Sequence, residues 1–192
     1  MNLFDYAFMI TDDGVGMSIK MSIWQKWRQA IDPIPQCLPF KSIVLAGVGG
    51  FLATAVFASM GDMTQTALVL GSFGASCFLV FSYPASPFSQ PRNVVGGHFV
   101  ATLTGLVLMS LFGVHWWSMA MGVGIATMLM LLLRVPHPPA GSNPLIVMLG
   151  AVSWEFLFTP TLFGSLILVA VALVYNNQGV DNGKDRRYPL YW

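Results

Sequence analysis

Charge is what this sequence has least of. Asp, Glu, Lys and Arg make up 9% of its 192 residues, against roughly 25% in a typical soluble domain. Between positions 42 and 180 the only ones are Asp62, Arg92, Arg134 and Glu155, so the polar surface of a soluble protein is excluded and a polytopic membrane protein is expected. The formal net charge of +1, with no basic stripe, excludes a nucleic-acid partner. Cysteine is almost absent: Cys37 and Cys77 share no ligand spacing, which argues against a disulfide framework or a thiolate metal site. Histidines number three, and Glu155 is the one carboxylate well placed near the apolar runs, too scattered a set for a nucleophile with its base or for a metal centre. No enzyme activity and no cofactor are therefore expected. The twelve methionines, among them Met119, Met121, Met128 and Met130, have no neighbouring Cys or His and read as packing. A basic region followed by an apolar core and a small-residue cleavage site is missing from the first thirty residues, so no cleavable signal is expected.

What is present is apolar sequence in lengths that fit a bilayer. Residues 1–40 form a polar N-terminal segment, 41–176 a transmembrane domain and 177–192 a polar tail. In the first, Trp24, Trp27 and Ile31 share a helical face with Lys26 and Arg28 off it, which reads equally as an interfacial helix or as a cap packed on the domain. In the second, five segments of about twenty residues are expected at 41–61, 64–83, 93–113, 116–134 and 156–176, since a hydrocarbon core of about 30 Å needs that length. The turn between the third and fourth falls at Gly113-Val-His-Trp-Trp117, its tryptophans at headgroup depth. Small residues four apart (Gly49 and Ala53, Gly71 and Ala75, Gly97 and Ala101, Gly122 and Ala126) allow close helix packing.

The segment Arg134-Val-Pro-His-Pro-Pro-Ala-Gly-Ser-Asn-Pro-Leu145 breaks this pattern. Pro136, Pro138 and Pro139 forbid a regular helix, and Ser142 and Asn143 before Pro144 read as the cap and first position of a new one. Irregular backbone at membrane depth is tolerated only where protein or a water-filled cavity satisfies it, so this segment is the expected functional centre. A weak internal repeat supports that placement. Ser89-Gln-Pro-Arg-Asn-Val-Val-Gly-Gly97 aligns with Ser142-Asn-Pro-Leu-Ile-Val-Met-Leu-Gly150, and each follows an apolar run and a proline loop. Two helix starts aimed at one place would offer free N–H groups and positive dipole ends to an anion. Neither motif contains a carboxylate, which disfavours a cation site.

Basic residues near the span ends set the orientation. Lys20, Lys26, Arg28 and Lys41 put the N-terminus in the cytoplasm, and Lys184, Arg186 and Arg187 put the C-terminus there too. Both can hold only if the chain crosses once more between Arg134 and Glu155, as a broken span in which extended backbone supplements a short helix; the alternative is a re-entrant loop that strands the tail outside.

The His137-Pro138-Pro139-Ala140-Gly141 core, with Ser89-Gln-Pro-Arg-Asn-Val-Val-Gly-Gly-His98 upstream, resembles the HPP family of small integral membrane proteins over roughly residues 38–176. The resemblance implies four membrane-spanning helices, fewer than the segments counted above, and a transport role, since cyanobacterial and chloroplast members are linked to nitrite. The expected protein is thus an all-α transmembrane bundle with proline-broken segments and a possible two-motif repeat, a transporter or channel for a small inorganic anion with nitrite leading, lodged in a bacterial inner membrane as a homo-oligomer. Candidate substrate-binding residues are Arg92, Asn93, Gly96, Gly97, His98, His137, Gly141, Ser142 and Asn143, with Pro91, Pro138, Pro139 and Pro144 shaping the motifs. His137, titrating near neutral pH, would strengthen anion binding when protonated. A carrier of a small neutral solute, or an accessory membrane protein that transports nothing, are the alternatives.

Overall fold

The structure, a computed structural model, describes residues 38–64, 71–178 and 188–192. The expected interfacial helix at 23–31 and the basic residues of both ends other than Lys41 lie outside the described residues, as does the start of the second apolar segment. Six α-helices and no strand occur among the described residues. They are α1 (Phe40–Thr64), α2 (Gly71–Ser82), α3 (Pro91–Phe112), α4 (Trp116–Leu132), the short α5 (Asn143–Leu149) and α6 (Phe163–Asn176). Three apolar helical stretches are long enough to cross a membrane, Phe40–Met60, Pro91–Phe112 and Trp154–Asn176, while α2 and α4 are shorter apolar helices.

The last stretch is not one regular helix. A 3-10 turn at Trp154–Leu157 leads into a wide turn at Phe158–Leu162, inside which Thr159 is extended (φ −130°, ψ 114°). That is the conformation a residue takes ahead of a proline, here Pro160, so the sequence breaks its own helix one turn before α6 starts. Between α3 and α4 the turn lies where the sequence placed it. Gly113 closes α3 with φ +70°, and Ser118 accepts from the His115 N–H (2.9 Å) to start α4. Trp116 is 78% exposed.

α3 is the central helix. α4 and α5 pack on one side of it, with Ala101, Ala126, Met130 and Ala140 sharing a core. α2 and α6 lie on another, where Phe57, Phe73, Phe81, Val94 and Leu168 meet. α1 packs against α2 and α6 and turns Ile43, Val44, Val48, Phe51 and Leu52 outward, a face suited to lipid. Tyr175 in α6 donates to the Leu45 carbonyl in α1 (2.9 Å), and Asn176 donates to the Val80 carbonyl in α2 (3.2 Å). The start of α1, the end of α2, the start of α3 and the end of α6 therefore share one end of the bundle.

From α4 the chain returns through the bundle without a continuous regular helix. Residues 133–137 form a strap, followed by a 3-10 helix at Pro138–Ser142 that runs directly into α5. Along this path Val135 and His137 lie against Gly96 and Gly97, and Pro144 is wedged between Gly105 and Gly122. Val147 then shares a core with Leu106 and Leu157 near the far end. The segment thus runs along α3 from the end of α4 toward the level of Leu106.

Both ends of the segment stop by the same device. The Val135 N–H reaches the Met130 carbonyl (2.8 Å) and the Arg134 N–H that of Leu131 (3.1 Å). The Val152 N–H likewise reaches Val147 (3.3 Å) and the Ala151 N–H reaches Met148 (3.2 Å). These are Schellman closures, which place one residue in the left-handed region, usually glycine. Here the residues are Arg134 (φ 57°) and Ala151 (φ 44°), each carrying a Cβ against its carbonyl. Ala151→Gly should therefore raise unfolding stability by about 0.5–1 kcal/mol, with Arg134→Gly gaining less because the cation also favours a helix C-terminus. Unfolding midpoints in mixed micelles measure this; a lower midpoint for Ala151→Gly would contradict the left-handed assignment.

Candidate functional site

Polar side chains in these helices are sparse, and their spacing gathers them. Ser72 and Ser76 are four apart on α2, and His98 and Thr102 four apart on α3, so each pair shares one helical face. The two faces meet in the bundle interior, where the strap delivers His137, α5 delivers Asn143 and the kinked segment before α6 delivers Thr161. Ser76, His98, Thr102, His137, Asn143 and Thr161 are all 0% exposed.

They form a continuous line of hydrogen bonds. Ser76 Oγ stands 2.8 Å from His98 Nε2 and 2.8 Å from His137 Nε2. His137 Nδ1 lies 2.7 Å from the Phe88 carbonyl, in the loop before α3. Asn143 Nδ2 lies 3.0 Å from His98 Nδ1, 2.8 Å from Thr102 Oγ1 and 3.3 Å from the His98 carbonyl. Thr102 and Thr161 hydroxyls are 3.3 Å apart. The edge of Phe73 meets the His98 ring at 87° and the two imidazole centroids are 4.9 Å apart.

Because a carbonyl only accepts and an amide nitrogen only donates, the partners dictate the neutral tautomers. His137 carries its proton on Nδ1, toward Phe88, and leaves Nε2 as an acceptor. His98 accepts at Nδ1 from Asn143 and carries its proton on Nε2. Ser76 therefore accepts from His98 and donates to His137, so every bond from Asn143 to Phe88 points the same way. Two side-chain oxygens at this centre lack a partner, Asn143 Oδ1 and Ser72 Oγ.

A second polar group closes the loop between α2 and α3. Gln90, fully buried, donates to the carbonyls of Pro84 and Ser86 (2.9 Å each) and accepts from the Leu190 N–H (2.7 Å). Ser89 donates to Tyr83 (2.7 Å), and Tyr188 donates from its hydroxyl to the Ser89 carbonyl (3.0 Å). Burial raises the ionisation of that hydroxyl above its usual range, so it stays a donor. Tyr188 and Leu190 are thus part of the same packed unit as the loop that orients His137.

Of the residues singled out from sequence, His98, His137 and Asn143 come together, and Gly96 and Gly97 admit the strap beside them. Gly97 has no room for a Cβ, which would lie 2.6 Å from that of His137. Gly141 faces open space. Asn93 is buried one level nearer the loop, donating to the Pro87 carbonyl (2.7 Å), and Pro91 opens α3. Pro138 opens the 3-10 helix and Pro139 is half-buried within it.

Two of the candidate residues stand apart from this group. Arg92 is exposed, and its guanidinium donates to the Leu133 carbonyl at the end of α4 (3.3 Å), so it sits outside the buried centre. α5 begins at Asn143 after Ser142, as expected, but the Ser142 hydroxyl makes no capping bond: it turns back to the Pro139 carbonyl (3.0 Å), because the 3-10 helix feeds α5 without a break. Gln90 likewise makes no side-chain cap on α3. The buried centre is therefore built from side chains rather than from two open helix starts. Sequence reading missed Ser76, Thr102 and Thr161; the four-residue spacing of polar residues within apolar helices was the available signal.

The centre carries no fixed charge. Among the described side chains the charged ones are Lys41, Arg92, Arg134 and Glu155, all exposed. No group of three or more His, Cys, Asp or Glu side chains able to hold a metal occurs among the described residues.

Residues 35–189 match the HPP transmembrane region family. A transmembrane protein of Dictyostelium discoideum is 35% identical over 193 residues, covering 91% of this chain and 65% of its own length. A second from the same organism is 35% identical over 136 residues, covering 67% of this chain and 42% of its own length. The chain thus spans about two thirds or less of these curated relatives. No solved structure matches. With this match across most of its length, and with the His-Pro-Pro segment seated as the strap of an all-helical apolar bundle, the chain belongs to the HPP transmembrane family.

Proposed function

We propose that this membrane protein transports a small inorganic anion, with nitrite the leading substrate, and that the substrate passes through the buried centre at Ser76, His98, His137 and Asn143. The observation that carries the reading is the convergence of those side chains, all 0% exposed, from α2, α3, the strap and α5. In an apolar bundle such a group is costly unless it serves packing or passage. Hydroxyl, amide and imidazole N–H groups can replace the water around a small anion, and Asn143 Oδ1 and Ser72 Oγ have bonding capacity to spare. Arg92 and Arg134 act earlier, as exposed cations that raise anion concentration at the mouth. The bundle end that carries Lys41, Arg92 and Arg134 is taken as the cytoplasmic face, following the inside preference of basic residues. A bacterial plasma membrane and a homo-oligomer, the latter because six helices enclose little pathway, complete the reading.

One observation favours the rival, a non-transporting structural role: nearly all polar atoms of the centre already have partners inside the protein. Uptake of nitrite, beside nitrate, formate and chloride, into proteoliposomes separates the two. Nitrite flux is expected for the wild type, reduced at least about fivefold in a correctly folded His137→Ala variant, since one lost buried interaction of about 1–3 kcal/mol corresponds to about five- to 150-fold. No flux of any tested anion, with reconstitution verified, would sink the transport reading.

A further inference from the structure

We infer that the buried centre takes up one proton together with the anion, through the line His98–Ser76–His137, so that the transported unit is the anion plus its proton. The inference rests on the transport reading above and deepens it.

The geometry provides a state that holds one extra proton. In the neutral arrangement Ser76 donates to His137 Nε2. Its hydroxyl has a second acceptor within reach, the Ser72 carbonyl one turn back (3.1 Å). If a proton arrives on His137 Nε2, the Ser76 O–H turns to Ser72, and Ser76 Oγ then accepts from both imidazoles with its two lone pairs. His137 still donates from Nδ1 to Phe88. Every N–H and O–H keeps a partner, and no heavy atom needs to move.

A second protonated state exists at the other end of the line. With the added proton at His98 Nδ1, that nitrogen becomes a donor and Asn143 must offer an oxygen. The Asn143 amide has that oxygen unpartnered, and rotating it by half a turn presents Oδ1 to His98 and to the Thr102 hydroxyl. Movement of the charge along the line conserves protons without any other reactant. From this second state His98 releases its Nε2 proton to Ser76 Oγ as Ser76 releases its own to His137 Nε2. The charge moves to His137, while His98 stays neutral with its proton on Nδ1 toward Asn143 Oδ1 and its Nε2 accepting from Ser76. The return of the Asn143 amide and of the His98 proton to Nε2 gives the first state. Asn143 at one end and the Phe88 carbonyl at the other give the line two defined ends.

Charge then dictates coupling. Among the described residues no carboxylate, lysine or arginine faces the two rings from α2, α3, the loop at Phe88, the strap, α5 or the segment at Thr161; the other titratable group nearby is the buried thiol of Cys77 on α2. An imidazolium sealed at 0% exposure without a counter-charge is strongly disfavoured, and so is a bare anion among neutral groups. Each ion is the other's counter-charge, so each raises the affinity of the centre for the other.

The test uses the full chain in proteoliposomes that enclose a pH-sensitive dye, with external nitrite or formate added and protein-free vesicles subtracting leak of the free acid. Proton entry in step with anion entry, close to one for one, is the expected result. Ser76→Ala, which removes the middle of the line without adding bulk, should lower this paired flux at least about tenfold while the purified variant stays monodisperse. Anion entry without proton entry would overturn the coupling and leave transport standing. Absence of both fluxes in the wild type would overturn transport and coupling together. Undiminished paired flux in Ser76→Ala would overturn the path assigned here.

Discussion

Gly97→Ala should destabilise the protein by about 2–3 kcal/mol, near the upper end of what overpacking a core costs. The added Cβ would stand 2.6 Å from the Cβ of His137 and 3.1 Å from the Val135 carbonyl. Neither neighbour can step aside, since one is the first atom of a side chain held by Ser76 and Phe88 and the other is backbone. The strap would have to lift from α3, taking His137 out of line with Ser76. Gly141→Ala is the matched control: nothing lies within 4 Å of where its methyl group would stand, and a change within about 0.5 kcal/mol is expected. Unfolding in mixed micelles compares the two, and equal midpoints would mean that the strap is not seated on α3 as described.

His98→Ala should cost about 3 kcal/mol or more, because it combines a cavity with orphaned partners. The ring is fully buried, packed on the edge of Phe73, and bonded at both nitrogens. Its loss leaves an empty volume and takes one partner each from Ser76 and Asn143. Hydrogen bonds between membrane helices are worth about 0.6 kcal/mol on average, so the cavity supplies the larger share. His98→Ala and His137→Ala together should cost less than their sum by about 1 kcal/mol, since both rings depend on Ser76. Additive effects would show that the serine does not couple them.

Much of the architecture was legible because lipid imposes simple rules. Length and lack of charge located α1, α3 and α4 within a few residues, and the prolines before Asn143 forecast the interruption of regular helix there. What could not be read was which polar residues face one another. Ser76 sits in Phe73-Gly-Ala-Ser-Cys-Phe78 with nothing local to separate it from a packing serine; its role is created by His98, 22 residues on, and His137, 61 residues on. Arg92 misled for the opposite reason. A lone cation beside a motif invites a ligand reading, but a charged side chain at the start of a span gains most by reaching the surface and a free carbonyl. The pattern at Ser142 located the helix start but not the side-chain bond, because a capping bond presumes that the chain enters from an extended residue, whereas here it enters from another helix.

The exposed positions of Lys41, Arg92, Arg134 and Glu155 have an electrical consequence. Moving one elementary charge across a membrane at 100 mV involves about 2.3 kcal/mol, and proteins that sense voltage carry such charges inside their spans. Among the described side chains none of these four lies in the interior, so on the proposed transport reading opening the unloaded, neutral centre would carry none of them through the field. On that reading the membrane potential would find none of these four side chains to act on inside the bundle.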